Sequence, residues 1–408
     1  MRKIATLGAL LLLAAGSAPA QDYPIKFVPP AEVAINDAFW NPWLERNRRV
    51  SLPHLFEMCE QTGVFDNFAV AAGLKRGAFS GLKMGDEVIY KTIETAAYVL
   101  AQRRDPELER RVDEVIALVA AAQEVDGYLY TQRTIDLARG QNPQAAPRWS
   151  NMRDNELYYG GHLYEAAVAH FAATGKRTLL DVAIKHANLV DSIFGADKRR
   201  DVCGHPNVEQ ALVKLYRATG DKRYLKLAHF FVDERGRANG RKLRGAFSQD
   251  HKPLAEQTEA VGQAPRATYF YSGAADVAAL TGNGIYVRAL NRLWEDVVSR
   301  KIYVTGGIGA RHGNEGCGEA YELPNLTAYA EACAAVSFSM WNLRMFGLHG
   351  DAQYIDVLNA RSTTTSSRAS RSAATSSVTP ARSNPMGSSS SIAAGCRKAM
   401  PGRTRRRP

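Results

Sequence analysis

Residues 208–232 read Val208-Glu209-Gln210-Ala211-Leu212-Val213-Lys214-Leu215-Tyr216-Arg217-Ala218-Thr219-Gly220-Asp221-Lys222-Arg223-Tyr224-Leu225-Lys226-Leu227-Ala228-His229-Phe230-Phe231-Val232. Val208, Ala211, Leu212, Leu215 and Tyr216 fall at i, i+3, i+4, i+7 and i+8, and Tyr224, Leu227, Ala228 and Phe231 repeat the spacing. That is the period of a helix with one apolar face. Between the two runs, Gly220 supplies a left-handed C-cap and Asp221 starts the partner helix. The stretch therefore predicts a helical hairpin.

The same phrasing recurs along the chain. A hairpin is expected from Glu94, turning at Arg104-Asp105-Pro106 and resuming through Val112, Val115, Ile116 and Val119. Gly161-His162-Leu163 opens another that turns at Thr174-Gly175. Gly262-Gln263 leads to a turn at Thr281-Gly282-Asn283, and Asn342 to Met345 leads to His349-Gly350-Asp351. Repeats of this kind stack into an open solenoid or close into a ring. The loops entering the helices carry His, Glu, Tyr and Gly rather than a smooth surface, so the expectation is an all-α closed toroid with a central pocket.

The formal charge is +11, but residues 360–408 hold ten Lys and Arg and no acid, leaving 11 − 10 = +1 for the rest. The folded body is nearly neutral, which removes the argument for nucleic acid as a partner. Arg2 and Lys3, an apolar run from Ile4 to Ala15 and the small-residue sequence Ser17-Ala18-Pro19-Ala20 predict a signal peptide over 1–20, hence export to the periplasm or beyond. The run is shorter than the roughly 20 residues of a membrane-spanning helix, so no membrane association is expected. Five widely spaced cysteines do not predict a disulfide framework. The domain expectation is a helical body over 21–359 followed by a Ser/Arg-rich tail.

Candidate chemistry concentrates between Tyr303 and Ala335. Thr305-Gly306-Gly307-Ile308-Gly309 lacks the spacing of a dinucleotide or phosphate loop. Glu315, Glu319 and Glu322 follow, each either a general acid facing a cleft or solvated surface charge. Glu331 and Cys333 place a carboxylate and a thiol two residues apart, and both are reasonable zinc ligands. Two ligands do not make a site, and a buried inert thiol is the competing reading of Cys333.

The phrases Asp37-Ala38-Phe39-Trp40, Val88-Ile89-Tyr90-Lys91, Asp126-Gly127-Tyr128-Leu129, Gly161-His162-Leu163, Gly204-His205, Tyr303-Val304-Thr305-Gly306-Gly307-Ile308-Gly309, Tyr321-Glu322-Leu323-Pro324-Asn325 and Tyr329-Ala330-Glu331-Ala332-Cys333, in this order, resemble glycoside hydrolase family 127, which contains β-L-arabinofuranosidases. The resemblance runs from about Val33 to Leu358. It implies an (α/α)6 barrel followed by β-sandwich domains, and a retaining hydrolysis in which a zinc-bound cysteine attacks the anomeric carbon and a glutamate serves as acid/base. Glu315 matches the acid/base position, with Glu319 a secondary candidate, and Glu331 and Cys333 match two zinc ligands. His162 and His205 match positions that face the sugar. Gln263 stands where the family usually has His, and Pro265 removes a donor from the expected helix. Cys317 adds a thiol beside the proposed acid. The implied partner is a plant-derived arabinose-containing oligosaccharide or glycan; oligomeric state is left open.

After Leu358 the resemblance stops. Residues 360–408 contain eighteen Ser or Thr, no aromatic residue, no Leu and no acid, a composition that cannot bury a core. The family's β-domains and the Cys-Cys-Pro motif that supplies its nucleophile are not found there. The expectation is a frameshifted tail, against the alternative of a natural basic linker, and a chain inactive for want of the nucleophile. A noncatalytic sugar-binding toroid and another α/α-toroid enzyme such as a lyase are the competing functions.

Overall fold

The structure is a computed structural model describing residues 22–81, 85–138, 147–153 and 155–360. The expected signal peptide and the tail after 360 lie outside the described residues. Thirteen α-helices carry the labels α1 Trp40–Arg46, α2 Leu52–Gln61, α3 Val64–Ala71, α4 Asp86–Gln102, α5 Pro106–Ala122, α6 Thr131–Ala138, α7 Glu156–Thr174, α8 Thr178–Ile193, α9 Val208–Thr219, α10 Lys222–Glu234, α11 Ala264–Thr281, α12 Gly284–Arg300 and α13 Ala332–His349. A further helical run covers 352–360. Among the described residues there is no strand, only isolated bridges, and no helix is long and apolar enough to cross a membrane.

The chain is an all-α toroid of helical hairpins, α4–α5, α7–α8, α9–α10, α11–α12 and α13 with 352–360. The inner helices pack in succession, α4 on α7, α7 on α9, α9 on α11 and α11 on α13. Their sequences explain the placement. α7 is buried continuously from Glu156 to Ala167, and α11 is buried almost throughout from Ala264 to Ala279, as helices covered on all sides must be. Outer helices bury one stripe, for example Val112, Val115, Ile116 and Val119 on α5.

Local chemistry sets the hairpin corners. Asp105 accepts from the Leu108 N–H at 3.1 Å and Asn283 from Ile285 N–H at 3.1 Å, each satisfying an orphan donor of the first turn. Gly175, Gly220, Gly282 and Gly350 end their helices at φ between 66° and 75°, as expected from the turns. Close approach of inner helices depends on other glycines: a Cβ on Gly273 would lie 2.7 Å from Glu209 Cβ, and one on Gly161 2.8 Å from Asn207 Nδ2. The segment before α1 is tied to α11 and α13: the Tyr23 hydroxyl donates to Asp276 at 2.8 Å, Arg344 bonds the same carboxylate at 2.8 Å, and Ile25 N–H reaches Gly347 O.

Two expectations need correction. The first long hairpin begins at Asp86, not Glu94, because Asp86 and Glu87 occupy a first turn where the helix dipole favours acids, and Asp86 is buried against Thr131. His162 lies within α7 rather than in a loop before it. The donor that Pro265 removes costs α11 nothing, since Pro265 sits in the first turn, where an N–H has no intrahelical partner anyway. Cys59, Cys203, Cys317 and Cys333 are free thiols.

Candidate active site

The residues singled out in the sequence assemble where the inner helices begin. Glu87 and Lys91 stand on the first turns of α4, Tyr158 and His162 on those of α7, and His205 just before α9. Gln263 is the N-cap of α11, Arg266 and Tyr269 follow it, and Glu331 is the N-cap of α13, with Cys333 at its second position.

Glu315 reaches this ring from its loop by backbone pairing. Ala264 N–H donates to Glu315 O at 3.0 Å and Cys317 N–H to Gly262 O at 2.9 Å, a short antiparallel bridge that pairs Gln263 with Gly316 and brings Glu315 alongside. Glu315 takes φ 51°, uncommon for a residue with a side chain. Its carboxylate accepts from Gln263 Nε2 at 2.5 Å. Tyr329 interacts through its hydroxyl with both Glu315 and Glu331, and burial plus these two acids push the phenol pKa up.

Burial also raises the Glu331 carboxyl, against a lowering contact from Tyr329. The Cys333 side chain is exposed, which overturns the buried-thiol reading, yet desolvation and then Glu331, Glu87 and Glu315 push its pKa up to about 11, partly opposed by Lys91. Three carboxylates and a thiol thus share one space, and the acids Glu331, Glu87 and Glu315 add to burial in disfavouring the Cys333 thiolate. A cation would relieve that repulsion. The donor chemistry of Glu331 and Cys333 fits a thiophilic divalent ion, supplying two of the usual four ligands.

The aromatic and imidazole side chains form a neighbouring wall. Tyr158 packs against His162 at 4.6 Å and His205 at 4.2 Å between ring centroids, and His205 lies 5.7 Å from Tyr269. Lys91 Nζ is 3.3 Å from both Tyr158 Oη and Glu87 Oε1. Burial first, then cationic neighbours, holds both histidines well below 6.5, so they are neutral. Several buried polar atoms here lack a hydrogen-bond partner: both His162 nitrogens, Gln263 Oε1, Glu87 Oε2, and Arg266 Nε and Nη1. Desolvated Arg266, its pKa lowered to about 10, lies 4.4 Å over the Phe247 ring and interacts with Glu315. Buried polar groups are normally paired, so unpaired ones clustered together point to a polar ligand.

One turn deeper, Glu94, His162 and Glu165 bring ligand atoms within 4.8 Å of one another, a spacing that could hold a metal ion. Lys214 Nζ lies 2.7 Å from Glu165 Oε1 and already supplies positive charge there.

The remaining sequence candidates fall outside this ring. Glu319 is 76% exposed and Glu322 33%, and both pair with Arg311, so they are solvated surface charge. Depressions of about 520 and 230 Å³ flank their loop, and neither is lined by Glu315, Glu331, Cys333, His162 or His205. Cys317 does not stand beside the acid; it is buried among Lys301, Asp296 and Tyr271, and burial raises its pKa to about 11. Sequence reasoning gave no role to Glu87, Lys91, Tyr158, Arg266 and Tyr269. The signal was there for two pairs, Glu87 with Lys91 and Tyr158 with His162, each four apart and so on one helix face.

A family profile described as β-L-arabinofuranosidase, GH127 catalytic domain, matches residues 32–362. The chain is 38% identical over 313 residues to a non-reducing end β-L-arabinofuranosidase of Bifidobacterium longum subsp. longum, covering 72% of this chain and 47% of that protein. It superposes on a solved GH127 β-arabinofuranosidase with TM-score 0.77 and 46% identity, covering 83% of this chain and 54% of that one. A GH127 β-L-arabinofuranosidase from Geobacillus stearothermophilus T6 gives TM-score 0.75 and 38% identity, covering 80% and 55%. The chain spans about half the length of these relatives.

Proposed function

The chain belongs to glycoside hydrolase family 127, and from that membership we propose that it forms the sugar-binding and proton-transfer part of a retaining β-L-arabinofuranosidase site. The observation that carries this reading is the meeting of Glu315, oriented by Gln263, with Glu331, the exposed Cys333 and the unpaired polar groups at the starts of the inner helices.

In this reading Glu315 delivers its proton to the leaving oxygen as the anomeric C–O bond breaks, then recovers a proton from the water that releases the sugar. Gln263 fixes the carboxylate oxygen that is not delivering the proton. His162, His205 and Gln263 bind ring hydroxyls, with Tyr158 and Tyr269 forming an apolar wall. A zinc ion bound by Glu331 and Cys333 would hold a thiol ionised at neutral pH and favour its departure as a leaving group. We assign the attacking thiolate to none of the described residues. The substrate would be an arabinose-containing glycan of plant origin met outside the cytoplasm, in keeping with the export signal read in residues 1–20.

Binding of methyl β-L-arabinofuranoside by calorimetry and hydrolysis of an aryl β-L-arabinofuranoside, before and after chelation, test this. Saturable sugar binding, with any hydrolysis lost in Glu315→Gln and on chelation, supports the reading. Absence of binding, or hydrolysis indifferent to both changes, overturns it. Binding without turnover in the zinc-loaded protein would favour the noncatalytic sugar-binding alternative.

A further inference from the structure

Residues 22–32 cross the end of the toroid that the site does not occupy. The inner helices begin together at the site, so their C-terminal halves meet at the opposite end. Tyr23 is buried there with its hydroxyl on Asp276 of α11, whose other carboxylate oxygen takes Arg344 of α13 at 2.8 Å. Arg217, near the end of α9, holds Asp22 through two guanidinium nitrogens and lies 5.8 Å from the centre of the Tyr23 ring. Ile25 N–H donates to Gly347 O at 3.3 Å, and the Phe27 ring is 6.4 Å from that of Phe346. The next turn, Pro30–Glu32, packs on α4. One short segment thus touches α9, α11, α13 and α4 in succession.

The path matters because the series of packed inner helices stops at α13. Among the described residues, no comparable packing joins α13 back to α4. Yet these two helices carry groups of one site, Lys91 and Glu87 of α4 acting on Cys333 of α13. Arg344, which holds Asp276, also interacts with Glu165, and Lys214 with Arg344, so the anchor of Tyr23 adjoins the buried charges along the toroid's interior.

The attachment is local. Among the described residues the backbone of 22–28 gives the helices one hydrogen bond, from Ile25, and side chains supply the rest. A segment held in this way can open while the helices beneath it stay formed. Its seat is shaped in α13: a Cβ on Gly347 would lie 2.9 Å from Tyr23 Cδ1 and 3.2 Å from Phe27 Cε2. The helix therefore carries its least helix-favouring choice short of proline where the segment crosses it.

We infer that residues 22–32 form a strap. Seated, it fastens the last inner helix to the first across the open side of the ring and stops the far end. Unseated, it lets α4 and α13 part and admits water from that end to Glu94, Glu165 and Lys214. The strap acts in this way whatever the site binds.

Hydrogen exchange by mass spectrometry on the full chain tests the inference, with Gly347→Ala and Tyr23→Phe as variants. Alanine at 347 favours α13 by itself, so it displaces the strap without weakening the helix that seats it. Tyr23→Phe removes the anchoring hydroxyl and adds no bulk. Each should speed exchange in 22–32 by roughly tenfold or more, and with it exchange in α4 and the C-terminal half of α13, while α8 stays as in the parent. Asp105→Ala, which uncaps α5, should leave 22–32 and α13 unchanged. Faster exchange in 22–32 with α4 and α13 unaltered overturns the fastening role. Parental exchange in 22–32 at the rate of an unstructured peptide, or no change there in Gly347→Ala, overturns the seated strap. A uniform rise that includes α8 overturns its local character.

Discussion

Gln263 Nε2 donates to Glu315 Oε2 across 52 residues of sequence, joining the N-cap of α11 to a loop that carries no regular structure. The bond is half-shielded from water. Gln263→Leu should therefore lower stability by about 0.5–1.5 kcal/mol, the range for a typical hydrogen bond. Gln263→His, which restores a donor, should recover most of it. Urea unfolding of the three proteins checks this; equal midpoints would mean that the amide does not hold the carboxylate.

Glu315→Gln keeps the shape of the side chain and removes its proton transfer. Whatever hydrolysis of an aryl β-L-arabinofuranoside the parent chain shows should fall by roughly 10²–10⁴ in kcat/KM. Glu319→Gln should change it less than about twofold, because Glu319 is 76% exposed and paired with Arg311. A large loss in the Glu319 variant would restore it as a candidate acid.

Glu331→Gln and Cys333→Ser each remove one of the two proposed zinc ligands. Competition against a chromophoric chelator should show affinity reduced by at least the roughly 10–100-fold that loss of an outer-shell partner costs. The same experiment on Glu165→Gln should show little change if Lys214 serves as the cation of that deeper cluster. A larger loss there than at Glu331 would relocate the metal.

His186 is fully buried with Nδ1 2.7 Å from the Tyr164 hydroxyl, and burial lowers its pKa from 6.5 to about 4. Because the folded pKa is depressed, the unfolded chain takes up the proton first on acidification. The stability from this group is fully present above pH 6.5 and drains as pH falls through 6.5 toward 4, to a total of about 3 kcal/mol. Buried Asp86, raised from 3.8 to about 6, has the opposite sign and offsets part of the loss between those values. Melting temperatures from pH 7 to 4.5 should fall less steeply in His186→Gln than in the parent. Parallel curves would contradict the buried-neutral assignment.

Gly273→Ala and Gly175→Ala should destabilise for different reasons. At Gly273 the new methyl meets Glu209 Cβ at 2.7 Å between packed inner helices, so a cost of roughly 1–3 kcal/mol is expected from overpacking. At Gly175 nothing lies within 4 Å, but φ is +73°, and about 1–2 kcal/mol is expected from the left-handed backbone alone. Gly175→Asn, which tolerates that conformation, should cost less than Gly175→Ala; equal costs would contradict the backbone explanation.

Much of the architecture could be read in the chain itself. Periodicity in Val208–Phe231 and a glycine at 175, 220, 282 and 350 state hairpin after hairpin, because burying one face of a helix and capping its end are local demands on residue type. Glu315, Glu331, Cys333, His162, His205 and Gln263 were legible as candidates because their motifs are local too. What only the tertiary structure decided is which of them meet. The bridge between 262–264 and 315–317 brings Glu315 to Gln263 and turns Cys317 away into the core. Ring geometry recruits Lys91, Tyr158, Arg266 and Tyr269 from three helices, and Arg311 withdraws Glu319 and Glu322 to the surface. Desolvation, pairing and tautomer depend on neighbours distant in sequence, and no local pattern specifies them.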